Sequence, residues 1–455
     1  MDINGATKRF IRGWIVAITA ISVAGCSSDS LPNKEEAKAE TGGSNGQEAR
    51  AGEPIVKEPV TLKLYSHYAA INNDQDVQSV FGTVLAKHPN ITIELVKGVN
   101  IADLIAAKEI PDLIAVPNGS MYDMLNLGLA SDLNDDFVKK YGVDFNRFEP
   151  EAVKALRSYG KKGEVYGIPY TLNYGALIYN KDIFDTFAVP YPKDGMTWEE
   201  ITDLAAKVTR VDSGTSFIGL DPGAIKSFSR SYMLPTVNQT EDRAVLDSEG
   251  YKRLFSLLKD MYDIPGVVDP KNKYSYGIDW FLKEQKLAMH SAWLAAITSR
   301  LPPFEQSGNT FSWDLAGHPV FSDRPGIGKE IEFQSLLVPA ASKHKEAAYR
   351  VLLTLIGDEA QSVMNKGNNL TILNKPELRV EFASNTNIYK GKNLEGVFKI
   401  KPAPAPMYSE YDAENYKYLG DAQKSMIVDK EDINTVLRTA NERANKYMET
   451  VKSQK

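Results

Sequence analysis

A single cysteine, Cys26, stands in 455 residues, so no disulfide can form within the chain and the fold must hold by packing. The five histidines, His67, His88, His290, His318 and His344, show no H-E-x-x-H or other metal-ligand spacing. No G-x-S-x-G elbow and no G-x-x-x-x-G-K-[ST] loop occurs, which removes the signatures of the α/β-hydrolases and the P-loop enzymes. Neither metal nor cofactor is expected. There is no basic surplus either. The formal net charge is −6, and Lys and Arg are interspersed with Asp and Glu, so no basic stripe invites nucleic acid. Long apolar runs are missing: Gly13–Val23 is too short to cross a bilayer as a stable helix, which takes about 20 residues. Internal repeats are not evident. One enzyme class stays open, because a glycosidase needs only two facing carboxylates and the chain has 59 acidic residues.

The N-terminus carries a pattern of its own. Lys8, Arg9 and Arg12 precede the short apolar stretch, and Val23-Ala24-Gly25-Cys26 follows it. This resembles a bacterial lipoprotein signal peptide over residues 1–25, ending in a lipobox. The resemblance implies cleavage after Gly25 and a diacylated Cys26 that holds the protein on the outer face of a cytoplasmic membrane, since several acyl chains make attachment durable. An ordinary signal peptide beside a stray buried thiol is the other reading. Residues 26–58 are rich in Ser, Gly, Glu, Lys and Ala with almost no large apolar side chains. They cannot bury a core and are expected to form a flexible tether.

From Val60 on, strand and helix signals alternate. VTLKLYS, ITIELVKG and DLIAV read as strands, separated by helical patterns over Asp74–Lys87 and Asp103–Lys108. Such alternation predicts mostly parallel sheets with helices on both faces. In such sheets ligands sit beyond the carboxyl ends of the strands, here Ser66–Tyr68 and Pro117–Ser120. Tyr166–Asn180, YGIPYTLNYGALIYN, is extended by its alternating apolar residues but too long for one ordinary strand. It reads as two strands joined by a crossing near Tyr170–Asn173. MTWEEITDLAAKV then opens a helix, with Thr197 and Glu200 spaced for a capping box and Met196 and Ile201 for a hydrophobic staple. Ser342 is expected to begin a later helix that carries Ala348, Val351, Leu352 and Leu355 on one face.

The run GEVYGIPYTLNYGALIYNKDIFDTFAVPYPKDGMTWEEITDLAAKV resembles the signature of extracellular solute-binding proteins of ABC importers, of the sugar-binding type (family 1). The family pattern is G-x-x-Y-G-[IV]-P, then Y-N-K-D-[LI]-F, then T-W-[DE]-E and a helix, and every part is present in order. The resemblance extends from about Val60 to Val451. It implies a two-lobed, periplasmic-binding-protein-like α/β fold, each lobe a mostly parallel sheet flanked by helices. Lobe 1 would take 59–171 and 318–385, and lobe 2 172–317 and 386–455. Crossings are expected near Tyr170–Asn173, Gly317–Phe321 and Phe382–Lys392. The implied activity is capture of a small solute, most naturally a mono- or oligosaccharide, by a monomer that hands it to ABC permease subunits. A surface receptor or adhesin without an importer is the alternative, and a carbohydrate-active enzyme a further one.

Sugars call for planar polar side chains beside aromatic platforms. Ser66, His67 and Tyr68 follow the first strand and Asn118, Gly119 and Ser120 the third. Asp221 ends FIGLD, a strand of the second lobe. The resemblance places a polar ligand contact at Asn173 and Tyr174, a stacking tryptophan at Trp293, and a further aromatic at Tyr416 or Tyr418. The match at Trp293 is partial, because Ala292 replaces the usual glycine. Tyr170 reads equally well as ligand contact or hinge packing, Trp293 as platform or core. The loops SHYAAINND and PNGSMYD put neutral groups nearest the strand ends, unlike maltose-type relatives.

Overall fold

A computed structural model describes residues 58–454. The expected signal peptide, Cys26 and nearly all of the expected tether lie outside the described residues. In chain order the strands are β1 (Val60–Ser66), β2 (Ile91–Leu95), β3 (Leu113–Pro117), β4 (Ile168–Asn173), β5 (Gly175–Asn180), β6 (Arg210–Asp212), β7 (Thr215–Asp221), β8 (Val237–Asn238), β9 (Arg243–Ala244), β10 (Leu287–Trp293), β11 (Trp313–Gly317), β12 (Ile327–Glu330), β13 (Glu332–Leu337) and β14 (Lys401–Ala403). One sheet has the order β2-β1-β3-β13-β4 and a second the order β11-β5-β10-β7-β6. Burial follows position. Edge strand β2 alternates, with Ile91 and Ile93 buried and Thr92 and Glu94 exposed, whereas central β3 is buried from Leu113 to Val116. Helices Asp74–Lys87 and Lys345–Leu355 pack beside the first sheet and Trp198–Val208 beside the second, with Glu249–Tyr262 packed against Trp198–Val208.

β1 runs parallel to β2 and β3, and β10 parallel to β7. The other pairs in these sheets are antiparallel: β13 with β3 and β4, β5 with β10 and β11, and β6 with β7. Each sheet is thus mixed where mostly parallel pairing was expected. The crossings explain most of this. Strands β4, β5, β11 and β13 take the chain from one lobe to the other. They enter their sheets without the helical crossover that sets neighbours parallel.

The long extended stretch breaks at Tyr174, with β4 ending at Asn173 in the first sheet and β5 starting at Gly175 in the second. The return runs from Gly317 through β12 into β13. On the third passage the Ala383 amide still bonds Asn365 O of the first lobe (2.8 Å), while Lys392 Nζ reaches Trp313 O and the Asn393 amide reaches Asp314 Oδ1 (both 2.8 Å) in the second. β14 then pairs with β12, so the connecting segments lie side by side.

Helix Trp198–Val208 carries the capping box that its sequence predicts: Thr197 Oγ1 accepts from the Glu200 amide (3.2 Å) and Glu200 Oε2 from the Thr197 amide (2.8 Å). Ser342 does not begin the later helix. That helix spans Lys345–Leu355, and the Ser342 hydroxyl turns inward, donating to Asp112 Oδ1 (2.7 Å) and accepting from the His344 amide (3.2 Å).

Candidate functional site

The two lobes meet on a buried polar node. Asn118, beyond the end of β3, donates through Nδ2 to the Tyr408 hydroxyl (2.7 Å) and to Ile331 O (3.1 Å). Arg230, on the helix Ile225–Ser231 that follows β7, donates through Nη2 to the same hydroxyl (2.7 Å). One tyrosine oxygen therefore receives a donor from each lobe. Arg230 also forms an ion pair with Glu330 at the end of β12, and its guanidinium lies 4.7 Å from the Tyr408 ring centre. Tyr159 stacks on Tyr408 at 4.8 Å and donates its hydroxyl to Asn118 O. Burial pushes the Tyr408 hydroxyl up to about 12. A buried charge is tolerated only when paired, and Glu330 supplies the pair for Arg230.

Beside this node lies Trp293, the residue expected to be a platform. Trp293 ends β10, opens the helix Leu294–Gln306 and is half-buried. The ammonium of Lys329, on β12, sits 4.6 Å from its ring centre and donates to Ser227 Oγ. The Lys329 stem runs across Gly175, where a Cβ would collide with it and with the His318 ring. β5 can therefore start at that crossing only on a glycine. Burial pulls Lys329 down to about 8, against the charges of Glu330 and Glu332. Glu332, at the start of β13, accepts from Asn173 Nδ2 (2.7 Å). Burial, then the charge of Glu330, raises its carboxyl to about 6. Asn173 Oδ1 accepts from the Ala295 amide (3.0 Å), so this side chain at the first crossing touches both lobes.

The other expected site residues are more scattered. Ser66 Oγ turns back to Ala69 O (2.9 Å). His67 Nε2 bonds Asp123 Oδ2 (3.0 Å), and its ring lies edge-on to Tyr68 at 4.4 Å. Tyr68 is 78% exposed and has a positive φ of 55°. Gly119 is exposed and Ser120 half-buried. Tyr170 and Tyr174 are both buried. Tyr174 donates to Glu149 Oε2 (3.3 Å) under the Arg379 guanidinium, and Tyr170 lies in the core with burial raising its hydroxyl. Neither presents its ring to solvent. Asp221 is 1% exposed and accepts from the amides of Tyr276 (2.9 Å), Gly277 (2.6 Å) and Gly223 (3.2 Å). It is a loop organiser in this conformation. Tyr416 is buried beneath the Lys226 ammonium, 5.3 Å from its ring centre. Tyr418 meets Arg443 of the C-terminal helix instead. Asn118, Asn173 and Trp293 are the expected residues that the crossings bring together.

Residues 85–387 match the family model of bacterial extracellular solute-binding proteins. The chain belongs to this family. Its fold is similar to that of an ABC substrate-binding protein from Listeria monocytogenes in complex with cycloalternan (TM-score 0.69, 17% identity, 85% of this chain and 98% of that one). It is also similar to the sugar-binding protein MalE from Xanthomonas citri (TM-score 0.65, 15% identity, 86% and 98%) and to an ABC transporter solute-binding protein from Agrobacterium radiobacter K84 in complex with ribitol (TM-score 0.62, 17% identity, 86% and 99%). At these identities the likeness is one of fold.

For a solute-binding protein the arrangement has the needed parts: an aromatic face, flanking donors and acceptors, and connecting strands at its base. Lys329, Glu332, Arg230, Tyr159 and Tyr408 were missed by sequence reasoning. Their partners lie far away in the chain, and no local pattern marks them. One signal was available for Lys329 and Glu332: three charged residues, Lys329, Glu330 and Glu332, stand in a stretch that leads from one lobe into the other. Among the described residues no group of three or more His, Cys, Asp or Glu is placed to hold a metal ion, and no helix there is long and apolar enough to cross a membrane.

Proposed function

We propose that this solute-binding protein captures a saccharide between its lobes and delivers it to the permease of an ABC importer. The observation that carries the reading is the half-buried indole of Trp293 at the first crossing, with Lys329 over its ring and the Asn173–Glu332 pair bonded to the Ala295 amide two residues on. An aromatic face takes the apolar side of a sugar ring, while planar amide and carboxylate groups take its hydroxyls. The saccharide and polyol complexes among its structural neighbours support the same class of solute. Ligand that touches both lobes favours the closed form by its preferential affinity for that form. The closed, loaded protein then docks on the permease.

The test is a melting-temperature screen of the protein against a panel of mono- and oligosaccharides, followed by calorimetry on each hit. A ligand at 100 times its Kd stabilises by about 2.7 kcal/mol. Trp293→Ala should weaken a hit at least about tenfold, because a buried aromatic anchor is worth roughly 2 kcal/mol or more. No shift with any saccharide would overturn the reading. A Trp293→Ala protein with a large loss of melting temperature and an unchanged Kd would move the platform elsewhere.

The lipobox-like Val23–Cys26 supports a second part of the proposal, acylation of Cys26 and attachment to the outer face of the membrane. Cys26→Ala should appear in the soluble fraction or remain unprocessed. A Cys26→Ala chain that is still cleaved after Gly25 and lipid-labelled would sink this part.

A further inference from the structure

Two lysines at the inter-lobe site have no carboxylate partner. Lys329 is 6% exposed, and its ammonium is met by the Ser227 hydroxyl and the Trp293 ring. Lys226, next to Ser227 on the same helix, is exposed and lies over the Tyr416 ring. Neither forms an ion pair among the described residues. The carboxylates around them favour the charged lysines only from a distance, beyond ion-pair range, and make their direct contacts elsewhere. Glu330 is taken by Arg230. Glu332 is held by Asn173. Asp412 accepts from Thr236 Oγ1 (2.5 Å) and the Ser409 amide (3.0 Å) at the start of its own helix. A hydroxyl and an indole face offset only part of the cost of burying an ammonium, and a counter-ion offsets far more. The Lys329 ammonium, 4.6 Å from the centre of the Trp293 ring, is within reach of a substituent on a sugar resting against that indole.

We propose that the captured saccharide is acidic, with a uronic-acid residue against Trp293 whose carboxylate pairs with Lys329 while Lys226 guides it from the rim. This rests on the saccharide reading above and narrows it. One buried ammonium matches one negative charge, which favours a carboxylate over a phosphate dianion. A charge-assisted hydrogen bond is roughly twice as strong as a neutral one, and it is made here out of bulk water, where screening is weak. A neutral sugar in the same place would leave the Lys329 ammonium without a direct ion pair.

The experiment compares, by calorimetry on the full chain, di- and trisaccharides of uronic acids, the same compounds with each carboxyl reduced to the alcohol, and sugar phosphates. The acids should bind at least tenfold tighter than their reduced counterparts. Lys329→Met should remove most of that preference, read as the ratio of acid to reduced-sugar affinity measured on the same variant. Lys226→Gln should lower it less and mainly at low salt. If Lys329→Met does not fold, the ratio between acid and reduced sugar on the unmodified chain decides alone. Equal or tighter binding of the reduced sugars would overturn the acidic ligand and leave the saccharide reading standing. Preference for the phosphates would overturn it as well. Binding of none of the three groups would overturn the acidic ligand, and the melting-temperature screen over the full saccharide panel then decides the saccharide reading.

Discussion

Lys329 carries its charge where the fold makes charge expensive. Its ordinary value is 10.5, and burial holds it at about 8. Between those values the unfolded chain still binds a proton that the folded chain has released, so stability rises with pH across that window. Below pH 8 both states hold the proton, and the fold bears the full cost of a buried ammonium. Above 10.5 neither does, and the cost is gone. Lys329→Met removes the ammonium at every pH. The variant's advantage over the unmodified protein should therefore be greatest below pH 8 and shrink by about 3 kcal/mol on the way to pH 10.5. Urea unfolding of both proteins at intervals from pH 7 to 10.5 measures the difference directly. A flat difference would mean that water reaches the ammonium and that its burial costs little. Trp293 and Asn173 were visible in the sequence because the family pattern points to them. Lys329 was not, because its neighbours Ser227, Trp293 and Gly175 are assembled by three separate passages of the chain.

Local signals decided how well each strand and helix could be read. The capping box at Thr197 and Glu200 lies within one turn, and the structure forms it as the spacing predicts. The buried apolar run Leu113–Val116 and the alternation in β2 likewise report where each strand sits in its sheet. Pairing direction is a different matter. Nothing inside EFQSLL says that β13 will lie antiparallel between β3 and β4, because that follows from the route the chain takes back from the second lobe. The extended stretch Tyr166–Asn180 shows both sides of this. Its two strands and the crossing between them were legible from length and alternation. The break falls at Tyr174, one residue past the expected window, because Asn173 is still paired with Glu332 in the first sheet. Asp221 is another instance: its place at a strand end suggested a ligand contact, yet three backbone amides occupy its oxygens. Two of those amides, of Tyr276 and Gly277, belong to a loop reached only after 55 further residues.

The two lobes are joined by segments that lie side by side, with β12 against β14 and the first crossing next to Lys329. Connections bundled in this way let two rigid bodies turn about a common line, since only a few residues need to absorb the change in backbone angles. The node at Tyr408 holds Asn118 of one lobe and Arg230 of the other on a single oxygen. Under the proposed function, a ligand that rests on Trp293 and Asn173 touches both lobes close to these connections. Ligand can move the balance between open and closed forms only as far as its affinities for the two differ, which makes closure measurable rather than assumed. Small-angle scattering of the protein with a saturating cognate saccharide should give a smaller radius of gyration than the protein alone. Scattering with a saccharide that fails to shift the melting temperature should leave the radius unchanged. Identical radii with and without a ligand whose saturation has been proven by calorimetry would contradict hinge closure. The site would then be a fixed groove, and delivery to a permease would need a trigger other than the shape of the loaded protein.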